Sequence, residues 1–188
     1  MAAQWIRVTR DEESGMPTML VRAVVIAGVL CAGELICAPI YVNLTHGRIA
    51  LLPWAMVACL LAVAFTYTVG FALLWCVESL CGRLRPSLMP VAYGIAGLIG
   101  FAAWGYAVYP AFLDSILRPL GLSGLSGSAL VAVGFNCAVL GFASFFLGSM
   151  APRFLSRRKG VVIGIGVLTL LFAAFGAYTV ASVYAVLY

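Results

Sequence analysis

The sequence predicts an all-α polytopic membrane protein: a five-transmembrane-helix bundle with the amino terminus inside and the carboxyl terminus outside. Three observations carry that expectation. Hydrophobic residues make up 64% of the chain and charged residues 9%, whereas a soluble domain carries roughly 25% charged residues. The eleven Lys and Arg residues are absent from five long stretches, Ala23–Val42, Ile49–Val77, Pro86–Leu113, Pro119–Pro152 and Gly160–Tyr188. Each stretch can hold the run of about 20 apolar residues that crosses a bilayer. Threading the chain through lipid five times then sorts the basic residues by side. Arg7, Arg10, Arg22, Arg83, Arg85, Arg153, Arg157, Arg158 and Lys159 fall on one side, and Arg48 and Arg118 on the other. Basic residues concentrate on the cytoplasmic face, and that bias sets the orientation.

The organisation is a cytoplasmic tail over residues 1–19 and a single membrane domain over 20–188. The tail carries Asp11, Glu12 and Glu13, acids that argue against a signal or transit peptide. Trp5 and Ile6 suit an interfacial contact, but the segment is expected to be a disordered tail. The net charge of +5 sits at helix ends, where it suits anionic headgroups. The expected partner is therefore the lipid bilayer and not nucleic acid, with the plasma (inner) membrane the expected location.

The first span is expected at about 20–42, after Pro17 and with Pro39 in its last turn. A short link, Asn43–Arg48, makes the first two spans antiparallel neighbours. The second is expected at about 53–77, opened by Pro53, with Trp54 and Trp75 marking the two interfaces. The third covers about 88–109 and ends on Trp104, Tyr106 and Tyr109. After Pro110, Ala111–Leu117 reads as a short interfacial helix in the outer 3–4 loop, with Asp114 and Arg118 an i,i+4 pair. A glycine-serine link over 121–127 follows. The fourth and fifth spans are expected at about 128–150 and 161–187.

Small residues mark packing faces. Gly127, Gly134, Gly141 and Gly148 recur every seven residues on the fourth span, with Ala138 and Ser144 on the same side. Heptad spacing keeps a stripe against one partner, and small residues let membrane helices approach closely. The fifth span adds Gly160 and Gly164 in G-x-x-x-G spacing, and the third has Gly94, Gly97, Gly100 and Gly105. Such faces serve packing inside one bundle, or contact with a second copy or another membrane subunit. The cysteines Cys31, Cys37, Cys59, Cys76, Cys81 and Cys137 include no C-x-x-C and read as small packing residues.

The candidate site is a polar layer in the outer half. Glu34 is the only acid within a span, on the order of 10 Å inside the hydrocarbon when counted from Tyr41. Asn136 comes to roughly 12 Å from the same side when counted from Ser128, and Tyr178, Thr179 and Ser182 reach a similar depth. A buried acid costs at least ~2–3 kcal/mol and faces the bundle interior or water, so Glu34 is expected to be neutral or partnered. In one reading these residues bind a cation or proton in an outward-facing cavity. In the other, Glu34 locks helix contacts. At the opposite end, Arg22 and Glu78 fall at one depth and are expected to form an interfacial ion pair.

Catalytic readings find little support. The single histidine, His46, rules out bis-histidine haem ligation and a His-rich zinc site within the chain. No paired acids or phosphate-cradling lysine loop appears, and no cofactor is expected. Ser123 stands in a G-x-S-G sequence of the kind seen in rhomboid proteases, which need a histidine from another span. The expectation is a non-enzyme: a small transporter, or a membrane subunit of one, for a small solute or ion. The alternative is a structural or assembly subunit of a larger membrane complex.

Overall fold

The computed structural model describes residues 17–47, 49–81, 87–122, 124–155 and 158–187. Most of the tail, including Trp5 and Ile6, lies outside the described residues, as do Arg48, Arg83, Arg85, Ser123, Arg157 and Tyr188; the same holds for the side chains of Cys81 and Arg153. The described residues form helices without strands, and five of the helical runs are long and apolar enough to cross a membrane. The first span is Thr18–Leu44. The second comprises Leu51–Phe65, a π-helical turn Thr66–Gly70, and Phe71–Cys81. The third is Met89–Leu117, the fourth Gly127–Leu155 and the fifth Lys159–Leu187.

Local chemistry explains the ends and the irregularities. The first span stops where His46 and Gly47 adopt positive φ, and the Gly47 amide bonds back to the Val42 carbonyl at 2.9 Å. A left-handed residue just past the last turn satisfies orphan carbonyls in this way. In the second span, Thr66 Oγ1 donates to the Ala62 carbonyl at 2.9 Å and Thr68 Oγ1 to the Ala64 carbonyl at 2.7 Å. The Ala62 carbonyl also accepts the Thr66 amide, so the threonine hydroxyl adds a second donor at the entry to the widened turn.

The third span differs from expectation. Ala111–Leu117 is not a separate surface helix but continues the span through Pro110. Gly105, Tyr109, Leu113 and Leu117 form one buried face at four-residue spacing. That burial carries the helix past the amide that proline lacks.

The first span is central, packed against the fourth, the second and the fifth. The third and fourth spans form the most intimate pair. A Cβ on Gly97 would collide with the Gly141 carbonyl oxygen, and a Cβ on Gly141 with the Gly97 carbonyl oxygen. Gly105 lies against Cys137 and Gly94 against Phe142. The seven-residue stripe of the fourth span divides between two neighbours, because Gly148 abuts Ile26 of the first span. An α-helix drifts about 20° per heptad, and here the drift carries the stripe from one partner to the next. Ser144 is buried on it, its hydroxyl donating to the Gly141 carbonyl at 3.0 Å, and Ala138 is half-buried. Gly134 meets only Tyr106, at 3.8 Å, and a Cβ on Gly127 would meet nothing within 4 Å.

The fifth span buries Val162, Thr169, Ala173 and Gly176, with Gly176 against the Met56 carbonyl. Gly160 and Gly164 were expected on its packing face, yet a Cβ on either would meet nothing within 4 Å. Each lies two positions from buried Val162, about 200° around the helix, so both point away from the bundle.

Candidate functional site

Glu34 stands at the junction of the first, third and fourth spans with no exposed surface. The Tyr109 hydroxyl donates to its Oε1 at 2.8 Å. Beside it, Asn136 Nδ2 donates to the Tyr41 hydroxyl at 2.9 Å, and that hydroxyl also lies 3.8 Å from Cys137 Sγ. Tyr41 and Tyr109 stack with ring centroids 5.8 Å apart, and Trp54 packs on both at 5.6 and 6.1 Å. The aromatic trio walls in the acid. Two polar atoms in this group have no hydrogen-bond partner among the described residues, Glu34 Oε2 and Trp54 Nε1. Buried polar groups are satisfied in the large majority of cases, so a half-bonded carboxyl beside an unbonded indole N–H is unusual.

The structure brings Glu34 and Asn136 into one cluster through Tyr41 and Tyr109. It does not bring Tyr178, Thr179 and Ser182 there. Tyr178 is 69% exposed. Thr179 and Ser182 direct their hydroxyls to the carbonyls of Phe175 and Tyr178 in their own helix, each at 2.9 Å. All three share the depth of Glu34 along the membrane normal, but the fifth span packs mainly on the second, with Gly176 against the Met56 carbonyl, so Tyr178 and Ser182 face away from the bundle while half-buried Thr179 is engaged by its own helix. Of the two readings of Glu34, the one that placed it in an outward-opening cavity is not met, because the carboxyl is enclosed.

Trp54 and Trp75 part company for a related reason. Trp75 is 64% exposed, whereas Trp54 is 4% exposed and belongs to the Glu34 surround, so Trp54 is no lipid-facing anchor. Tyr41, Tyr109 and Cys137 are likewise site residues that the sequence reading treated as boundary markers or packing. A signal for Tyr41 existed: Glu34, Ala38 and Tyr41 share one helical face at i, i+4, i+7, and all three are buried. For Tyr109 the signal is its four-residue register with Phe101 and Gly105.

At the other end, Arg22 Nη1 is hydrogen-bonded to Glu78 Oε1 in an ion pair linking the first and second spans. The same Nη1 donates to the Tyr93 hydroxyl at 2.9 Å, and the guanidinium lies 5.1 Å from the Tyr93 ring centroid. Arg22 thus ties three spans together. Arg118 Nη2 pairs with Asp114 Oδ2 at 3.0 Å one turn apart. His46 borders a cleft of about 150 Å³ between the link after the first span and the link before the fourth, with Thr45 and Ser126. Cys31 and Cys59 point their thiols at each other's carbonyl, at 3.9 and 3.7 Å, and join the first two spans.

The chain matches no known family, and neither a curated protein nor a solved structure is significantly similar to it. Its five apolar helices are those of a multi-pass membrane protein in contact with a lipid bilayer.

Proposed function

We propose that this protein is a small transporter, or the membrane subunit of one, in which Glu34 binds and releases a proton or small cation from an occluded site. The observation that carries the reading is the unpartnered Oε2 of a fully enclosed carboxyl. A carboxyl serving only as a helix lock gains most when both oxygens are bonded, because an unmet buried acceptor costs about 1–3 kcal/mol. One free oxygen is what a group that exchanges a proton or an ion needs. Tyr109 holds the carboxyl in place, and Asn136 orients Tyr41 beside it. An ionisable residue inside the membrane is by default a functional-site hypothesis.

Proteoliposomes loaded with a pH-sensitive dye test this reading. Under an imposed membrane potential, vesicles carrying the protein should shift internal pH faster than empty vesicles, and Glu34→Gln should abolish the difference. Flux equal to that of empty vesicles, or full flux in the variant, refutes the role.

A second reading, a structural or assembly subunit of a larger membrane complex, draws on the fifth span. Its Gly160 and Gly164 face no other part of the chain among the described residues, and small residues of this spacing suit a close helix partner. Under that reading Gly164→Leu removes a co-purifying membrane subunit and leaves Glu34→Gln without effect.

A further inference from the structure

Between the first and fifth spans runs a groove of about 510 Å³. Its floor is Gly28 and Ala32, and Val25, Ile165, Leu168 and Phe172 stand along it. The one hydroxyl bordering it, that of Thr169, is committed to the Gly166 carbonyl at 2.9 Å. The groove thus offers a ligand no free hydrogen-bonding side chain, which excludes a polar solute and suits a hydrocarbon chain.

Its length and its ends narrow the choice. On the first span it extends from Val25 to Leu35, a rise of about 15 Å, half the ~30 Å hydrocarbon core and so the depth of one leaflet. It ends toward Leu155, where the chain enters the run Arg153-Phe154-Leu155-Ser156-Arg157-Arg158-Lys159, which carries four basic residues and no acid. Arg158 and Lys159 are exposed. Lys159 precedes Ile165 by six residues, about 9 Å along the helix, which puts basic charge at headgroup distance from the groove. Arg22, at the same end, is already taken by Glu78, so among the described residues Arg158 and Lys159 are the exposed basic charge at this end of the groove.

We infer that the groove between the first and fifth spans binds an anionic phospholipid, its acyl chain along Gly28 and Ala32 and its headgroup on the Arg158–Lys159 turn. The site is independent of Glu34. Each basic residue near the membrane surface adds attraction for anionic lipid, so selectivity is expected to come from the headgroup and occupancy from the groove.

Native mass spectrometry of the full chain, incubated with phosphatidylglycerol or phosphatidylcholine, reads this directly. Phosphatidylglycerol should be retained on the order of tenfold more than phosphatidylcholine. The double variant Arg158→Gln, Lys159→Gln should lose the preference. Ala32→Phe, which fills the floor from an exposed position, should lose both lipids; Leu168→Trp, on the opposite wall, serves if Ala32→Phe fails to fold. Equal retention of the two lipids by the unaltered protein overturns the inference. So does a preference that survives loss of both charges, or retention that survives the filled groove. Disulfide-linked dimers of Ala32→Cys formed in place of lipid binding would assign the groove to a second copy and overturn it equally.

Discussion

The third and fourth spans and the fifth span carry the same kinds of residue and use them in opposite ways. Gly97 and Gly141 bring two backbones so close that neither position has room for a Cβ, while a Cβ on Gly160 or Gly164 would meet nothing within 4 Å among the described residues. Tyr109 and Asn136 turn inward to Glu34 and Tyr41, while Tyr178 and Ser182 turn outward. In the second span 56% of the most apolar window is buried, against 22% in the fifth. The lesson is that residue type and depth do not assign a membrane residue to a site; rotation about the helix axis does. In hydrocarbon an outward-facing serine or threonine can return its hydroxyl to its own helix and remain satisfied, so polar groups need not gather.

Substitutions sharpen the contrast, and the largest effect is expected at the closest contact. Gly141→Leu forces a branched side chain onto the Gly97 carbonyl and should destabilise the bundle by about 3 kcal/mol or more, seen as a lower denaturing fraction of SDS in mixed-micelle unfolding. A stability equal to that of the unaltered protein would break the assignment of this pair. Tyr109→Phe removes the hydroxyl that donates to Glu34 Oε1 and should cost about 1–3 kcal/mol by the same titration. Tyr109 matters less than this if the loss is under a few tenths.

On the fifth span the sign should reverse. Gly164→Ala meets no neighbour and improves helix propensity, so it should stabilise by up to about 1 kcal/mol; a loss would reveal a contact partner at this face. The smallest effect belongs to Ser182→Ala, within about 0.5 kcal/mol of zero, with proton flux unchanged. A clear loss of flux there would return the fifth span to the Glu34 site.

Much of the architecture was legible in the chain. The five apolar runs correspond to five helices, most of whose ends lie a few residues beyond the expected ones, while the third runs eight residues past Tyr109. Arg22 and Glu78, matched only by depth, are in contact, because both sit in the first or last turns of adjoining antiparallel helices, where few rotations are open. Further inside, legibility fell. Glu34 and Asn136 were picked out as polar exceptions in apolar runs. Tyr41, Tyr109 and Trp54 were not, because aromatic residues near span ends are read by default as interface anchors. Tyr178, Thr179 and Ser182 of the fifth span were assigned inward on depth alone, and Ala111–Leu117 was cut off at Pro110 although its buried register runs on.

The chain by itself determined how many times it enters lipid and which residues hydrocarbon excludes, since a charge is costly in a bilayer whichever way its helix is turned. Only the tertiary structure decided which side of each helix faces its neighbours. These helices are apolar on all faces, so no polar stripe records their rotation. It is set by where glycines allow backbones to meet, and that fit exists only between two helices already side by side.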